Sequence, residues 1–310
     1  MAVFWLVVFI VALIVLVKGA DWLIESAEKI GLAFGLSSFI VGVTIVGVGT
    51  SFPELISSLA AVLSGVSDVV AANVVGSNIA NILLIVGISA IVGKKLVVTK
   101  DLIDLDIPLL AISTALFLGV LWDAQITLGE SILLLLTYVI YFLYTLFSGE
   151  DEDKNTKTKR PKVQTKDYIM LIIGLTSLVF GAKYLIDALV KLSEIFDIAT
   201  GVIAITAVAV GTSLPELLVS VKAALKGKSE VALGNIFGSN IFNALAVVGI
   251  PGLFGSLQVD NQTFSIGLPV MAVTTLLFVI SGISKKIYIW EGIFFVSIYI
   301  LFVAKLFNWF

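Results

Sequence analysis

The sequence predicts an all-α membrane protein in which ten transmembrane helices form two inverted-topology repeats of five helices each. Three observations lead to this fold class. The 310 residues are 59% hydrophobic and 13% charged, with a mean hydropathy of +1.13, which suits a lipid bilayer and would cause aggregation in water. Apolar runs of about 20 residues recur along the whole chain. A polar motif inside one such run returns 162 residues later in the second half.

Ten apolar runs are long enough to span the bilayer, and five of them fall in each half. The predicted spans are residues 2–18, 38–63, 69–93, 103–122, 128–147, 167–188, 200–225, 231–254, 264–283 and 287–307. An odd number of spans in each half inserts the second half upside down relative to the first. This is the inverted-repeat plan of many secondary transporters.

A polar segment, residues 148–166, separates the two halves and is too short to fold alone. We interpret it as a cytoplasmic linker between a first repeat, residues 1–147, and a second repeat, residues 167–310. Its four consecutive acidic residues are interpreted as a solvated charge run, because nothing fixes their geometry.

Basic residues predict the orientation in the membrane. With the N-terminus outside, 16 of the 19 basic residues fall on the inner side, with Lys18 and Lys29 in the loop after the first span. Only Lys183, Lys191 and Lys305 are left for the outer side. The positive-inside rule therefore places both termini outside. No basic residue precedes the first span, so we expect it to be retained, and the chain fits a prokaryotic cell membrane.

Composition excludes most catalytic chemistry. The chain has no Cys and no His, so it has no thiolate or imidazole metal ligand, no cysteine nucleophile and no Ser/His pair. The net charge of −3 includes no basic patch of the kind that binds nucleic acid. We therefore expect a protein that is not an enzyme, with no cofactor and no protein partner implied. Its expected partners are small ions and the lipid bilayer.

The repeated motif is Gly-Thr-Ser-x-Pro-Glu, at residues 49–54 and 211–216. It places Glu54 and Glu216 at equivalent positions inside predicted spans. A carboxylate in lipid is costly and is usually kept for handling ions or substrates. No basic residue is predicted at membrane depth to pair with either one. The two carboxylates therefore predict one shared intramembrane site.

A second polar block follows the first in each half. Residues 19–93 match residues 181–255 at 32 of 75 positions, and the identities bunch on polar residues that lipid packing does not require. On a helix the polar residues of this block form an i, i+4, i+8 stripe. The stripe consists of Asn73, Ser77 and Asn81 in the first half and of Asn235, Ser239 and Asn243 in the second half.

Spacing within the first block predicts an opened helix lined with oxygens. On a helix, Thr50 and Ser51 precede Glu54 by four and three residues and share its face, and Thr212 and Ser213 stand in the same relation to Glu216. The prolines at positions 53 and 215 cannot donate to the carbonyls four residues back, so those turns are expected to open. Freed carbonyls inside a membrane are tolerated where they line a cavity or bind cations.

Carboxylate, hydroxyl, amide and carbonyl oxygens are all hard ligands, and such a set suits Ca²⁺ and, at similar size, Na⁺. The two Glu carboxylates together carry −2, which balances one Ca²⁺. Replacing Ca²⁺ with several Na⁺ keeps that charge compensated. Competition of the two ions for one cage amounts to exchange. Access from the two sides in turn is expected from the inverted-repeat plan.

The two blocks resemble the α-repeats of the cation/Ca²⁺ exchanger superfamily, most closely its prokaryotic Na⁺/Ca²⁺ exchangers, with α-repeats at about residues 38–93 and 200–255. The resemblance implies Ca²⁺ binding by Glu54 and Glu216, a core of helices two, three, seven and eight, and movement of the first and sixth helices as the gate. It also implies Na⁺ ligation by a set of hydroxyl and backbone oxygens. That set comprises the side chains of Thr50, Ser51, Thr212, Ser213, Ser77 and Ser239 and the backbone carbonyls of Gly47 and Ala209.

Three alternatives remain open from the sequence. K⁺-dependent members of the family carry Asp where this chain has Asn243, and both Asn81 and Asn243 are amides here, which disfavours K⁺ co-transport. The H⁺-coupled branch carries Glu-His in the second block, which this chain lacks. An H⁺-coupled antiporter of Ca²⁺ or another divalent cation still stays an alternative, because Glu54 or Glu216 could titrate. A channel or an intramembrane enzyme on the same frame is the third.

Overall fold

Long helices make up most of the chain. The structure, a computed structural model, describes residues 2–98, 106–148, 161–195 and 213–306. Within these ranges, eight helical segments are long and apolar enough to cross a membrane, and a further apolar helical segment, Ile107–Asp123, is shorter. These segments coincide with nine of the ten predicted spans. The first half of the remaining span, residues 200–212, and the centre of the linker lie outside the described residues.

Two of the helices in the first half are interrupted by π-helical turns. The turn π1 (Gly42–Gly47) joins α2 to α3, and π2 (Asn81–Val86) joins α5 to α6. A 3₁₀ turn, Leu121–Asp123, follows α7. The helices are α1 (Ala2–Ala33), α2 (Ser38–Val41), α3 (Val48–Thr50), α4 (Phe52–Leu63), α5 (Asp68–Ala80), α6 (Gly87–Val92), α7 (Ile107–Val120) and α8 (Leu128–Ser148).

From residue 213 onward, the described part of the second half follows a similar order. The turn π3 (Asn243–Val247) joins α11 to α12, and π4 (Thr263–Gly267) precedes α13. Helix α10 lies 162 residues after α4 at both of its ends. The helices are α9 (Thr165–Ile195), α10 (Leu214–Leu225), α11 (Ser229–Phe242), α12 (Val248–Gly252), α13 (Leu268–Ile283) and α14 (Ile289–Leu306).

Helix α1 is longer than its apolar run predicts. It continues for 32 residues to Ala33, so the predicted end at residue 18 is wrong, and Lys18 and Lys29 lie on the helix rather than in a loop. Helix α9, of 31 residues, likewise extends beyond the predicted 167–188. The charged residues on the second half of α1 make ion pairs with other elements, and Lys29, for example, pairs with Asp167 of α9 at 2.7 Å. Such pairs allow the helix to continue past its apolar part.

Within the described residues, four short strands modify the all-α prediction. Antiparallel ladders join β1 (Lys95–Val97) to β4 (Lys286–Tyr288) and β2 (Gln125–Ile126) to β3 (Leu257–Gln258). In the first ladder Lys95 lies opposite Tyr288, and in the second Leu257 lies opposite Ile126. Adding 162 to the number of Lys95 gives Leu257, and subtracting 162 from that of Tyr288 gives Ile126, so the two pairs are equivalent. Each ladder therefore ties a loop of one half to a loop of the other.

The bundle has a buried interior and a lipid-compatible rim. Nearly every residue of the segment Ser229–Gly252 is buried, whereas α1, α8, α9 and α14 expose apolar side chains such as Phe4, Ile140 and Phe294. Apolar side chains on the outside of a membrane protein face lipid at no cost. The elements that carry the polar blocks are thus enclosed by the peripheral helices.

Glycines let the two halves approach closely at the centre. A Cβ atom on Gly42 would lie 2.8 Å from the Val231 carbonyl oxygen and 2.9 Å from the Gly234 Cα. A Cβ atom on Gly47 would lie 3.1 Å from the Ser239 backbone nitrogen. Small residues permit such backbone contact between membrane helices. As a result, the π1 turn before the first motif packs directly on α11, which carries the second block of the other half.

Candidate functional site

The first motif breaks its helix at Ser51. Helix α3 ends at Thr50 and α4 begins at Phe52, with Pro53 in its first turn, where the missing N–H of proline is tolerated. Ser51 has φ −87° and ψ 6°, and Ser213 before α10 has the same values. The predicted opening of the helix at the first motif is confirmed. The prediction that Thr50 and Ser51 share a helical face with Glu54 stays a prediction, because the helix is interrupted at Ser51.

Glu54 and Glu216 are buried side chains in the first turns of α4 and α10, with exposed fractions of 0% and 1%. The partial positive charge at a helix N-terminus favours a carboxylate there. Neither makes an ion pair with a described residue, and both Glu54 carboxylate oxygens lack a hydrogen-bond partner. Both carboxylates are therefore enclosed in the protein interior, each in the first turn of one of two equivalent helices.

Hydroxyl groups of the first motif contact the opposite half. The Ser51 hydroxyl donates to Glu216 Oε1 at 2.8 Å. Thr50 Oγ1 lies 3.1 Å from Asn235 Oδ1 and 3.3 Å from the Gly47 carbonyl oxygen, both of which accept from it. The spacing had placed Ser51 beside the carboxylate of its own motif. The structure instead places it on the carboxylate of the other half.

The second block of the second half surrounds these contacts. Asn235 Nδ2 donates to Ser220 Oγ at 2.8 Å and to the Glu216 carbonyl oxygen at 3.3 Å. The Ser239 hydroxyl donates to the Gly47 carbonyl oxygen at 3.3 Å. Asn235 thereby links Thr50 of one half to α10 of the other. The sequence had placed Asn235 on the polar stripe of the second block, whereas its partner Ser220, one helical turn after Glu216, was not predicted.

Further polar atoms of the site have no hydrogen-bond partner among the described residues. Asn81 and Asn243 are fully buried, each begins a π-helical turn, and the amide oxygen and nitrogen of both are unpartnered. The buried Ser213 hydroxyl also has no hydrogen-bond partner among the described residues. Ser77, one helical turn before Asn81 on α5, is buried as well. Unsatisfied buried polar groups are costly in a protein. They are compatible with a site built to hold a ligand.

Two predicted ligands, Thr212 and Ala209, lie outside the described residues. Among the residues that are described, no three Asp, Glu, His or Cys side chains cluster as a metal site. The centre thus combines two carboxylates with neutral hydroxyl, amide and carbonyl oxygens. The π-helical turns were not predicted from the sequence, since local propensity carries no clear signal for them; such turns are frequent at functional sites.

Two residues at equivalent positions of the halves contact each other. Asn78 Nδ2 donates to the Asn240 carbonyl oxygen at 3.1 Å, and these positions are 162 residues apart. Asn240 Nδ2 donates to the Ile236 carbonyl oxygen at 2.7 Å, and among the described residues it makes no reciprocal bond to Asn78. The two halves therefore meet at matching positions without being identical there.

A bundle of membrane-length helices around buried carboxylates, hydroxyls and amides defines a polytopic membrane transporter of ions. The family model described as sodium/calcium exchanger protein matches residues 4–147 and 166–308. The chain belongs to the sodium/calcium exchanger family.

Individual relatives are similar over nearly their whole length. The sodium/calcium exchanger MaX1 of Methanosarcina acetivorans is 32% identical, with 97% of this chain and 97% of that protein covered. The inner membrane protein YrbG of Escherichia coli is 32% identical over 87% of this chain and 86% of its own length. A solved structure of the sodium-calcium exchanger NCX_Mj, soaked with 10 mM Na⁺ and zero Ca²⁺, is 32% identical with a TM-score of 0.87, and it covers 99% of this chain and 100% of its own.

Proposed function

We propose that this protein is a secondary active antiporter that exchanges Na⁺ for Ca²⁺ across the membrane through one shared intramembrane site. The observation that carries the proposal is the contact between Ser51 of one half and Glu216 of the other, 2.8 Å apart and enclosed within the bundle. It joins both copies of the repeated motif in one centre. The family membership of the chain and its likeness to named sodium/calcium exchangers support the same function.

The proposed architecture is ten transmembrane helices in two inverted repeats. Support comes from contacts that map onto each other when residue numbers shift by 162. Gly19 of α1 packs on Gly174 of α9, and Gly181 of α9 packs on Ala12 of α1. The two β ladders show the same relation. A pseudo-two-fold axis relates the repeats of many secondary transporters in this way.

The proposed ligands are the oxygens of both motifs. Two buried carboxylates balance one Ca²⁺, and neutral oxygens complete the six to eight donors that Ca²⁺ prefers. Na⁺ is of similar size and accepts the same donors. The full set is Glu54, Glu216, Thr50, Ser51, Thr212, Ser213, Ser77, Ser239, Asn81 and Asn243 and the backbone carbonyls of Gly47 and Ala209.

Transport is proposed to proceed by alternating access. The long helices α1 and α9 cross in contact with each other at the rim, while the motifs lie in the interior, so movement of the pair could expose the centre to either side. A buried centre of charge −2 is costly without a cation. That cost favours movement with Ca²⁺ or Na⁺ bound, which couples the two fluxes.

Orientation with both termini outside is proposed from the distribution of basic residues. The end of the bundle that holds β1 and β4 also holds Lys95 and Lys286 in its first ladder. An excess of lysine marks the cytoplasmic side. The protein is accordingly assigned to a prokaryotic cell membrane with its central linker in the cytoplasm.

The test is Ca²⁺ exchange by Glu54→Gln and Glu216→Gln variants in proteoliposomes. Each variant removes one of two charges that balance Ca²⁺, so we expect loss of Na⁺-driven ⁴⁵Ca²⁺ uptake with normal size-exclusion behaviour. Glu291→Gln is the matched control, because its carboxylate only accepts from the Tyr288 N–H at 2.8 Å and an amide can do the same. Wild-type flux in both site variants would contradict the proposal.

Ca²⁺ uptake into the same vesicles also identifies the counter-ion that drives exchange. Removal of Na⁺ should stop Ca²⁺ uptake by the wild type, whereas collapse of a pH gradient should leave uptake unchanged. Uptake that depends on the pH gradient alone would favour the H⁺-coupled alternative. Flux far above exchange rates without any counter-ion would indicate a channel.

A further inference from the structure

The contacts of the central site are asymmetric although its scaffold is symmetric. Ser51 donates to Glu216, whereas the equivalent Ser213 hydroxyl and Glu54 carboxylate oxygens have no partner among the described residues. The β ladders and the crossing of α1 with α9 are matched under the 162-residue shift. Among the described residues, side chains near the motifs thus differ between the halves where the ladders and the α1–α9 crossing match.

Asn235 makes three hydrogen bonds that have no counterpart among the described residues of the first half. We name this group of bonds the Asn235 clasp. It consists of the Thr50 hydroxyl on Asn235 Oδ1 at 3.1 Å, and of Asn235 Nδ2 on Ser220 Oγ at 2.8 Å and on the Glu216 carbonyl oxygen at 3.3 Å. Asn235 and Ser220 are fully buried. The clasp fixes the turn at Thr50 of one half against α10 of the other.

The equivalent arrangement in the first half, the Asn73 clasp, is open. It would consist of the Asn73 amide on Ser58 Oγ and on the Glu54 carbonyl oxygen. Ser58 is 2% exposed and its hydroxyl has no hydrogen-bond partner among the described residues. The Glu54 carbonyl oxygen accepts instead from Ser57 Oγ at 3.0 Å, and Asn73 is only half-buried. A buried unpartnered hydroxyl is costly, so a second arrangement that satisfies Ser58 is favourable.

We propose that Asn235 and Asn73 are positioning residues whose clasps close in alternation, one in each access state of the transporter. The proposal rests on the proposed exchange function. In a pair of inverted repeats, each repeat adopts in one state the conformation that its partner has in the other. Closure of the Asn73 clasp would then accompany release of Thr50 from Asn235. The two amides act through Thr50 and the backbone at Glu54 and Glu216 rather than by binding the ion.

The test compares Asn235→Ala and Asn73→Ala in right-side-out and everted membrane vesicles. Loss of a clasp destabilises one access state, so the KM for Ca²⁺ rises at the face to which that state opens and falls at the opposite face. We expect changes of about three- to tenfold, because one buried hydrogen-bond network is removed. Asn73→Ala should shift both KM values in the directions opposite to those of Asn235→Ala.

Milder variants test the same proposal if an asparagine variant fails to fold. Ser220→Ala should reproduce the signs of Asn235→Ala, and Ser58→Ala those of Asn73→Ala, with kcat changed less than KM. A purely structural bridge would raise KM at both faces. Equal directions at both faces, or the same sign pattern for both asparagine variants, would overturn the proposal.

A second measurement needs no transport. In detergent, Asn235→Ala should speed amide hydrogen exchange in residues 47–51, which include the Ser51 N–H that donates to the Gly47 carbonyl oxygen at 3.2 Å. Asn73→Ala should leave that segment protected. Equal acceleration by both variants would refute the clasps, whereas absence of Na⁺-dependent Ca²⁺ flux in the wild type would refute the proposed function instead.

Discussion

Lys226 anchors one end of α1 to the rest of the bundle. Its Nζ lies 2.9 Å from Asp21 Oδ1 and 3.0 Å from Glu25 Oε1. Lys222 pairs with Asp21 at 3.2 Å, and Lys228 pairs with Glu28. Burial lowers the pKa of Lys226, but its hydrogen bonds to Asp21 and Glu25 outweigh this and raise the pKa above its ordinary value, so the side chain stays charged. We name Lys222, Lys226 and Lys228 the lysine cluster.

The perturbation is Lys226→Met, which keeps an apolar stem and removes the charge. The side chains of Lys226 and Asp21 are 30% and 21% exposed, so this pair is partly shielded from water, while Glu25 is 64% exposed and contributes little. Asp21 keeps Lys222 as a partner after the substitution. The expected loss is about 1 kcal/mol, the upper part of the range for surface pairs, which corresponds to about a fivefold change in an equilibrium.

The assay is the KM for Ca²⁺ at the face that carries the lysine cluster, measured in oriented vesicles. The ion pairs join α1 to the end of α10. Under the proposed alternating access, their loss should favour opening at this face and lower that KM about fivefold. Choline chloride at 1 M shortens the Debye length from about 10 Å to about 3 Å. It should produce much of the same shift in the wild type and little in Lys226→Met.

Lys95→Met is the matched control, since Lys95 is exposed and makes no ion pair with a described residue. An unchanged KM in Lys226→Met, or an equal shift in Lys95→Met, would refute the inference that the lysine cluster holds this end closed. Charge reversal adds a further check. Lys226→Glu should shift the KM more than Lys226→Met, and combination with Glu25→Lys should restore part of the difference.

Two further predictions concern packing and ligand binding. Gly42→Val should lower the free energy of unfolding by about 3 kcal/mol or more, because its Cβ would lie 2.8 Å from a backbone oxygen. The yield of monodisperse protein should fall with it. Gly119→Ala is the control and should leave the yield unchanged, since nothing described lies within 4 Å of a Cβ there. Ca²⁺ at about 100 times its Kd should stabilise the wild type by about 2.7 kcal/mol in a thermal-shift assay. The same Ca²⁺ should leave Glu216→Gln unshifted; an equal rise in both proteins would mean that Ca²⁺ binds elsewhere.

Local features of the site were predictable from the sequence. Proline has no N–H, so the spacing of Pro53 from Gly49 predicted the break that the structure has at Ser51. The polar blocks within apolar runs correctly marked the segments that pack at the centre. In both cases the signal lies within a few residues of the feature it predicts.

Features that depend on distant residues were not predictable. Helix α1 continues past its apolar run because Asp21 and Glu25 meet lysines about 200 residues later in the chain. Ser51 contacts Glu216 because the two halves interlock, which spacing within one motif cannot reveal. The short strands were not predicted for the same reason, since each of them pairs with a strand of the other half.

The β ladders also bear on how the chain assembles. Each half contributes two strands, and every one of the four finds its hydrogen-bonding edge on the opposite half. A half made alone would keep these edges unsatisfied, and unpaired backbone is poorly tolerated next to a membrane. Two fragments severed in the central linker would therefore have to associate before these strands could pair.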